Sequence, residues 1–359
     1  MGAKAVVEIW SPGLPRRRAV ATAVALFLAL STPLAGAAGL PAHHLPAGGF
    51  TNPGYIDGGR PALLTGLGFL AGRVVRALRP LGRAAASVDD SAAMFDRWKA
   101  DQDAPTVTWI GHSSLLVRQG GVHFLTDPMW SEYASPIKLG PRRLQPPGMP
   151  LAELPDIAFV VISHNHYDHL DLPTLRALSE RGSIFVVPLG NADLLGEEGI
   201  GPVLELDWWQ SVEVDGLEIT CVPARHWSRR GLLDRNRALW SGWVVESQDR
   251  LFYFAGDTAP SDVFDEIRNR LGSPALAALP VGAYLPVEIM SLSHMNPEQA
   301  IDAAVSLGAS KTVAVHFGTF DLAEEELDEP PRRFKAASMQ AARGPELDWV
   351  LKVGETRGW

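Results

Sequence analysis

The stretch "SHNHYDHLD", Ser163 to Asp171, follows the apolar run "IAFVVI" and decides how the rest of the chain is read. Three of the chain's ten histidines and two aspartates fall within these nine residues. Six apolar residues ahead of the cluster read as a buried strand, so the polar residues occupy the loop at its end. A loop held on a rigid scaffold can turn several side chains toward one point. His164, His166, Asp168 and His169 place three imidazoles and a carboxylate in six residues, more donors than one four-coordinate zinc with a water requires. A single histidine is usually a satisfied surface or core side chain, but crowding several without an ion leaves polar groups uncompensated. The surplus predicts two metal ions.

Two ions need further ligands, and the same setting recurs. His226 in "VPARHWSRR" and His316 in "KTVAVHFGTF" each follow an apolar β-like run, as does Asp257 in "YFAGDTA". A carboxylate has two oxygens and can bridge ions held about 3.5–4 Å apart. The expected set is His164, His166 and His226 on one zinc and Asp168, His169 and His316 on the other, with Asp257 and a hydroxide shared. Iron or manganese would suit the same donors.

From Val107 onward short β-rich runs alternate with helical ones. Residues 106–128, "TVTWIGHSSLLVRQGGVHFLTDP", read as strand, loop, strand, Gly-Gly turn and a strand ending at Asp127, and "LPTLRALSERG" reads as a helix closed by glycine. "LWSGWVVESQDRLFYFAGDT" repeats the hairpin plan, so "HFLTDP" and "YFAGDT" form a faint repeat 130 residues apart, each delivering an aspartate. Two similar β-rich halves facing each other, with helices outside, make an α/β fold of the αββα sandwich type.

At these residues the chain resembles the metallo-β-lactamase superfamily, whose signature is an HxHxDH loop followed by separated His, Asp and His ligands. The bridging position is Asp257 where true class B β-lactamases use cysteine, which disfavours antibiotic hydrolysis. From about Trp109 to Gly358 the chain is similar to the N-acylphosphatidylethanolamine-hydrolysing phospholipase D family and its bacterial relatives. "WIGHSSLLV", "FLTDPMWSEYASP", "LGPRR", "ISHNHYDHLD", "LDWW", "HWSRR", "YFAGDT", "PVGAYLP", "HMNPEQA" and "VHFGTF" carry the likeness. It implies a metallo-β-lactamase fold over residues 106–359 and two zinc ions, with Asp168 and Asp257 central to catalysis. The implied reaction hydrolyses N-acylphosphatidylethanolamine-like lipids to phosphatidic acid and N-acylethanolamine. Another ester, such as a lactone, is the alternative substrate class, and a scaffold that has lost catalysis is a third reading, weakened by the intact ligand set. His294 in "SLSHMNPEQ" reads by itself either as a helix-start residue or as a hydrogen-bond donor. The resemblance assigns it to the family's active-site histidine that is not a ligand.

Other residues take lesser roles. Asp127 is expected to orient a ligand or the hydroxide, and His112 in "GHSS" to sit just behind the ligands. Trp208 and Trp209 read as the lining of an acyl groove or as core, and so does Tyr284. His43 and His44 fall in a Pro/Gly-rich stretch and read as solvated linker, His123 as a strand residue, and Cys221 in "LEITCVP" as a small buried one.

Composition narrows the classes. The 359 residues, 46% hydrophobic, suffice for one large core. A single cysteine excludes both an intramolecular disulfide framework and a cysteine-rich metal site. "PRRR", then uncharged "AVATAVALFLAL", then the small triplet Ala35-Gly36-Ala37 have the order of a secretory signal over residues 1–37, an uncleaved anchor being the alternative. Export to the periplasm or to a membrane is the expected location. Its removal takes away Lys4, Arg16, Arg17, Arg18 and Glu8, a net +3, so the formal charge moves from −9 to about −12. An acidic chain argues against a nucleic-acid partner. Residues 38–105 read as linker and helical extension, with Arg73, Arg76, Arg79 and Arg83 at helical spacing, able to lie on an anionic membrane or to pack on the main domain. The expected partners are thus a phospholipid and a membrane surface, with a homodimer left open.

Overall fold

The computed structural model describes residues 40–55, 72, 104–138, 140–247 and 250–359. The expected signal segment and, Gly72 apart, the arginine-bearing helix lie outside the described residues. Among the described residues no helix is long and apolar enough to cross a membrane.

Two seven-stranded sheets face each other. In the first, β1 (Thr106–Gly111), β2 (Ser114–Gln119) and β3 (Val122–Thr126) form an antiparallel meander that continues in parallel through β4 (Phe159–Val161), β5 (Ile184–Pro188) and β6 (Val203–Leu206). The second repeats that plan. β7 (Ser211–Val214), β8 (Leu217–Val222), β9 (Gly242–Ser247) and β10 (Arg250–Phe254) run antiparallel, and β11 (Leu276–Pro280), β12 (Lys311–Val315) and β13 (Asp348–Trp349) add in parallel. β14 (Thr356–Gly358) pairs with β1 at the far edge of the first sheet. The faint repeat in the sequence is therefore structural: hairpin β2–β3 ends at Asp127 and hairpin β9–β10 at Asp257.

The strands are apolar on both faces because both are covered. Trp109, Leu115, Phe124, Phe159 and Val161 point into the core between the sheets, where they join Trp243, Phe252 and Phe254. Ile110, Leu116, Leu125, Val160 and Phe185 point outward and are covered by Leu175 and Leu178 of α1 (Leu172–Glu180) and Leu195 of α2 (Ala192–Glu197). Helices α3 (Val263–Leu271), α5 (Pro297–Leu307) and α6 (Glu329–Gln340) pack on the second sheet, with the short α4 (Val287–Met290) ahead of α5. Cys221 is fully buried in β8, as expected.

The sheets are joined at the end where the functional residues lie. Trp243 donates its indole N–H to the Ile162 carbonyl (2.9 Å), and Ser241 N–H donates to the Ser163 carbonyl (2.9 Å). Gly256 has φ +59°, and a Cβ there would stand 2.4 Å from the Ser163 Cβ. Only glycine lets the "AGDT" strand end pass so close to the histidine loop. Gly282 plays the same part beside His316, where an added Cβ would meet the His316 carbonyl oxygen at 2.1 Å.

Candidate metal centre

The carboxyl ends of β3, β4, β8, β10 and β12 all open at one end of the sandwich, and they deliver Asp127, the His164–His169 loop, His226, Asp257 and His316. His112 joins them from the β1–β2 turn. Three of these residues hold left-handed backbone, at φ +55° for His112, +35° for Asp127 and +61° for His316. Such conformations in non-glycine residues concentrate where geometry serves a site.

Two trios form. His164 Nε2 and His226 Nε2 lie 2.8 and 3.3 Å from His166 Nδ1. Asp168 Oδ2 lies 3.4 Å from His169 Nε2 and 3.6 Å from His316 Nε2. Between the trios stands Asp257, with Oδ2 at 3.1 Å from His316 Nε2, 3.2 Å from His169 Nε2, 3.8 Å from His226 Nε2 and 3.9 Å from His164 Nε2. Ligands on a tetrahedron with zinc bond lengths sit roughly 3.4 Å apart, so these spacings bracket the edges of two such polyhedra sharing one carboxylate.

Hydrogen bonds behind the trios bare the nitrogens that face inward. The Asp127 carboxylate accepts from Ser163 N–H (2.7 Å), Ser163 O–H (2.5 Å) and His169 Nδ1–H (2.6 Å). Because the Ser163 proton goes to Asp127, its oxygen is left to accept from His164 Nδ1–H at 2.9 Å. His226 Nδ1–H donates to the Ser293 carbonyl at 2.9 Å. Each of His164, His169 and His226 thereby presents a bare Nε2 lone pair to the centre. His169 Nε2 and His316 Nε2, which face the centre, and Asp257 Oδ1 are buried without a hydrogen-bond partner. Orphaned polar atoms at this density, all on metal-binding side chains, fit a site built for cations.

The electrostatics agree. Burial, then the neighbouring imidazoles, pushes His164 well below the ordinary histidine range, and burial does the same to His226 although Asp257 opposes it. Burial also lowers His112 to about 3 and His166 and His294 to about 4. His169 and His316 go the other way: burial is outweighed by Asp257 and Asp168, with Asp127 also acting on His169, and His316 rises to about 9. Asp168 and Asp257 resist burial and stay well below the usual carboxylate range because His169 and its neighbours face them.

His294 points Nδ1, buried and unpartnered, to within 3.9 Å of Asp257 Oδ2, with its ring 5.1 Å from that of His226. It precedes the N-cap of α5, which is Asn296 with a full capping box to Gln299. His112 Nε2 lies 3.0 Å from Asp168 Oδ2, behind the second trio. Asp171, the last residue of the motif, faces away from the centre and accepts from Trp130 N–H, Ser131 N–H, Ser131 O–H and Thr174 O–H.

Other expected residues lie elsewhere. Trp208 stacks on His43 (4.2 Å between ring centroids) and donates to the Trp240 carbonyl, and Trp209 packs against the core under the Arg270 guanidinium. Tyr284 donates to Glu329 and lies under Arg333. None of the three has a ring or hydrogen-bond contact with the histidine cluster. The expectation for His43 and His44 as solvated linker is corrected. Both rings bond Asp207, at 2.6 and 2.8 Å, and His43 is buried, because residues 40–55 form an arm that folds back on the domain. That arm reaches the centre: Asn52 donates to the His226 carbonyl (2.9 Å). Ser163 and Asn52 were missed by sequence reasoning. Ser163 had a signal, its place between a buried strand and His164; Asn52 had none.

The family model for the beta-lactamase superfamily domain matches residues 123–317. A Caenorhabditis elegans protein named N-acyl-phosphatidylethanolamine-hydrolyzing phospholipase D 1 is 42% identical over 238 residues, covering 63% of this chain and 67% of its own length. The mitochondrial protein of the same activity name from Saccharomyces cerevisiae is 35% identical over 236 residues, 64% of this chain and 50% of its own. This chain thus spans about two thirds of the first relative and half of the second. Igni18, a metallo hydrolase from the archaeon Ignicoccus hospitalis, superposes with a TM-score of 0.56 at 24% identity, over 71% of this chain and 98% of that one, a likeness of fold.

Two outcomes follow from the hydrogen bonds and the protonation pattern. Asp127→Ala should weaken metal retention about 10- to 100-fold, since it frees His169 and Ser163 together; dialysis against graded chelator with elemental analysis reads this, and wild-type retention would contradict it. In chelator-stripped protein, unfolded histidines take protons near pH 6.5 while His166 and His294 resist them until about 4. The unfolded state binds more protons in that window, so stability falls as pH drops from about 6.5 toward 4. His169 and His316, raised by Asp257 and Asp168, change their contribution only above about pH 6.5 and are level below it, so the lowered histidines (112, 164, 166, 226, 294) set the sign in this window. A urea midpoint that is flat or rises toward pH 4 would overturn this.

Proposed function

Since the chain belongs to the beta-lactamase superfamily and is a metal-dependent hydrolase, we propose that it is a dinuclear zinc phosphodiesterase of the phospholipase D type. The substrate proposed is an N-acylphosphatidylethanolamine-like lipid. The observation that carries the reading is the position of Asp257 Oδ2, within 3.1–3.9 Å of imidazoles from both trios.

His164, His166 and His226 would hold one zinc, Asp168, His169 and His316 the other, and Asp257 both. When bound, the zinc pair supplies a water acidic enough to attack near neutral pH and positive charge facing the phosphate oxygens. Asp127 and Ser163 keep His169 and His164 turned so that their Nε2 lone pairs face inward, and the Ser293 carbonyl does the same for His226. His294, neutral at physiological pH because burial lowers it to about 4, has one N–H to donate to a phosphoryl oxygen on which charge develops. The water oxygen forms a bond to phosphorus, the bond from phosphorus to the ethanolamine oxygen breaks, and that oxygen takes the proton the water loses. Phosphatidic acid and N-acylethanolamine leave. The relatives' activity names support a phosphodiester over a lactone, whose single oxyanion would need less charge around it than two cations would supply.

The chain is proposed to be exported by its first 37 residues. Intact mass of the exported protein should show a chain that begins after Ala37; residues 1–37 retained in a membrane fraction would install the anchor reading instead, and recovery of full-length protein from cytosol would exclude export.

For the reaction, zinc-loaded protein incubated with dispersed N-acylphosphatidylethanolamine should release N-acylethanolamine, read by mass spectrometry. His294→Ala should lower turnover about 10²-fold or more while both zincs stay bound, the size of a lost oxyanion donor. Fast opening of simple lactones with no N-acylethanolamine released would install the lactonase reading. Loss of a zinc from His294→Ala would make that residue a ligand.

A further inference from the structure

We propose that the loop from Trp227 to Arg237 is a docking element for an anionic lipid surface, placed to set the metal centre against it. This deepens the phospholipid reading and rests on it for its purpose, though its test does not. The sequence is "WSRRGLLDRNR". At its tip Leu232 and Leu233 are 86% and 95% exposed, the two most exposed large apolar side chains among the described residues. A lone exposed leucine needs no explanation, but an adjacent pair held clear of the protein does.

The pair is held there by structure. Asn236 N–H donates to the Ser228 carbonyl (2.8 Å) and closes the loop at its base. Inside it, the Asp234 carboxylate accepts from Arg230 N–H (3.0 Å) and Gly231 N–H (2.7 Å), and Arg237 N–H donates to the Asp234 carbonyl (3.0 Å). Braced at its base and flanks in this way, the loop carries its two leucine side chains outward at the tip.

Charge names the occupant. Four arginines against one aspartate leave these eleven residues at +3 in a chain of −9. Arg229, Arg235 and Arg237 are exposed beside the leucines. Apolar tips ringed by guanidinium groups match a bilayer with anionic headgroups, the leucines entering the acyl boundary and the arginines staying among phosphates. A second copy of this chain would bring like charges together across a two-fold axis.

The loop is coupled to the site. It begins one residue after His226, the Trp227 ring lies 4.3 Å from the His166 ring, and the Arg235 guanidinium lies 4.3 Å over the Trp227 ring. Arg230 donates to the carbonyls of Asn165 and Leu170, at 3.1 and 2.9 Å, and Tyr167 O–H donates to the Arg230 carbonyl. Arg230, Gly231, Asp234 and Arg237 form one wall of a cleft of about 850 Å3, across which Ile137, 60% exposed, adds a further apolar side chain. A lipid drawn out beneath the docked loop would meet this cleft and the histidine loop that floors it through Asn165 and Tyr167.

The test is co-sedimentation of the full, zinc-loaded chain with vesicles of phosphatidylglycerol and phosphatidylcholine, compared with phosphatidylcholine alone. The wild type should bind the anionic vesicles and release from them as salt is raised. Leu232→Asp with Leu233→Asp should weaken binding about 100-fold or more, with zinc content and melting temperature unchanged because both side chains stand in solvent. Unchanged vesicle binding by the double variant overturns the proposal, as does a wild type that ignores anionic vesicles. A wild-type dimer that the double variant splits, with vesicle binding retained, would also overturn it and make the loop a contact between copies. Vesicle binding lost in the double variant, when the wild type releases no N-acylethanolamine, upholds docking and refutes the phospholipid substrate instead.

Discussion

The rest of the site depends on the Asp127 carboxylate accepting three hydrogen bonds at the end of β3. From one fully buried group it fixes His169 directly and His164 through Ser163, so a residue of the first hairpin orients a donor in each trio. Seven imidazoles and three carboxylates crowd this end of the sandwich. A domain's whole stability is about 5–15 kcal/mol, and a few unpaired buried polar groups at about 1–3 kcal/mol each would consume it. Asp127, with Ser163, satisfies the outer nitrogens of His169 and His164 and leaves their inner lone pairs open. The unmet demand is thereby collected between the two trios, a donor set that fits cations.

The double-sheet architecture explains why there are two points. Each half of the fold supplies a hairpin whose last strand ends in an aspartate, and the two aspartates have diverged in use. Asp127 lies behind the ligands, while Asp257, brought in by the glycine at 256, stands between the trios.

Much of this was legible in the sequence because the signals were local. The histidine loop is contiguous, and His226, Asp257 and His316 each follow a run that reads as a buried strand, so their convergence at one sandwich end follows from strand direction. What was not legible depends on long-range packing. His43 and His44 sit in a stretch whose composition reads as linker, yet Asp207, over 160 residues away, gives both rings a partner and Trp208 gives His43 a stacking face. The same contact packs one face of Trp208, a residue that the sequence left open as groove lining or core. The loop with Leu232 and Leu233 carries no periodicity to distinguish buried from exposed leucines, and only its internal bracing by Asp234 and Asn236 shows which way they point. Centre and loop are continuous through Trp227, whose ring packs on that of His166.

The measurement that bears most directly on the central claim is anomalous X-ray diffraction from crystals of the zinc-loaded chain. The account requires two peaks about 3.5–4 Å apart, one within bonding distance of His164, His166 and His226, the other of Asp168, His169 and His316, with Asp257 reaching both. A single peak, or two peaks that Asp257 does not join, would contradict it.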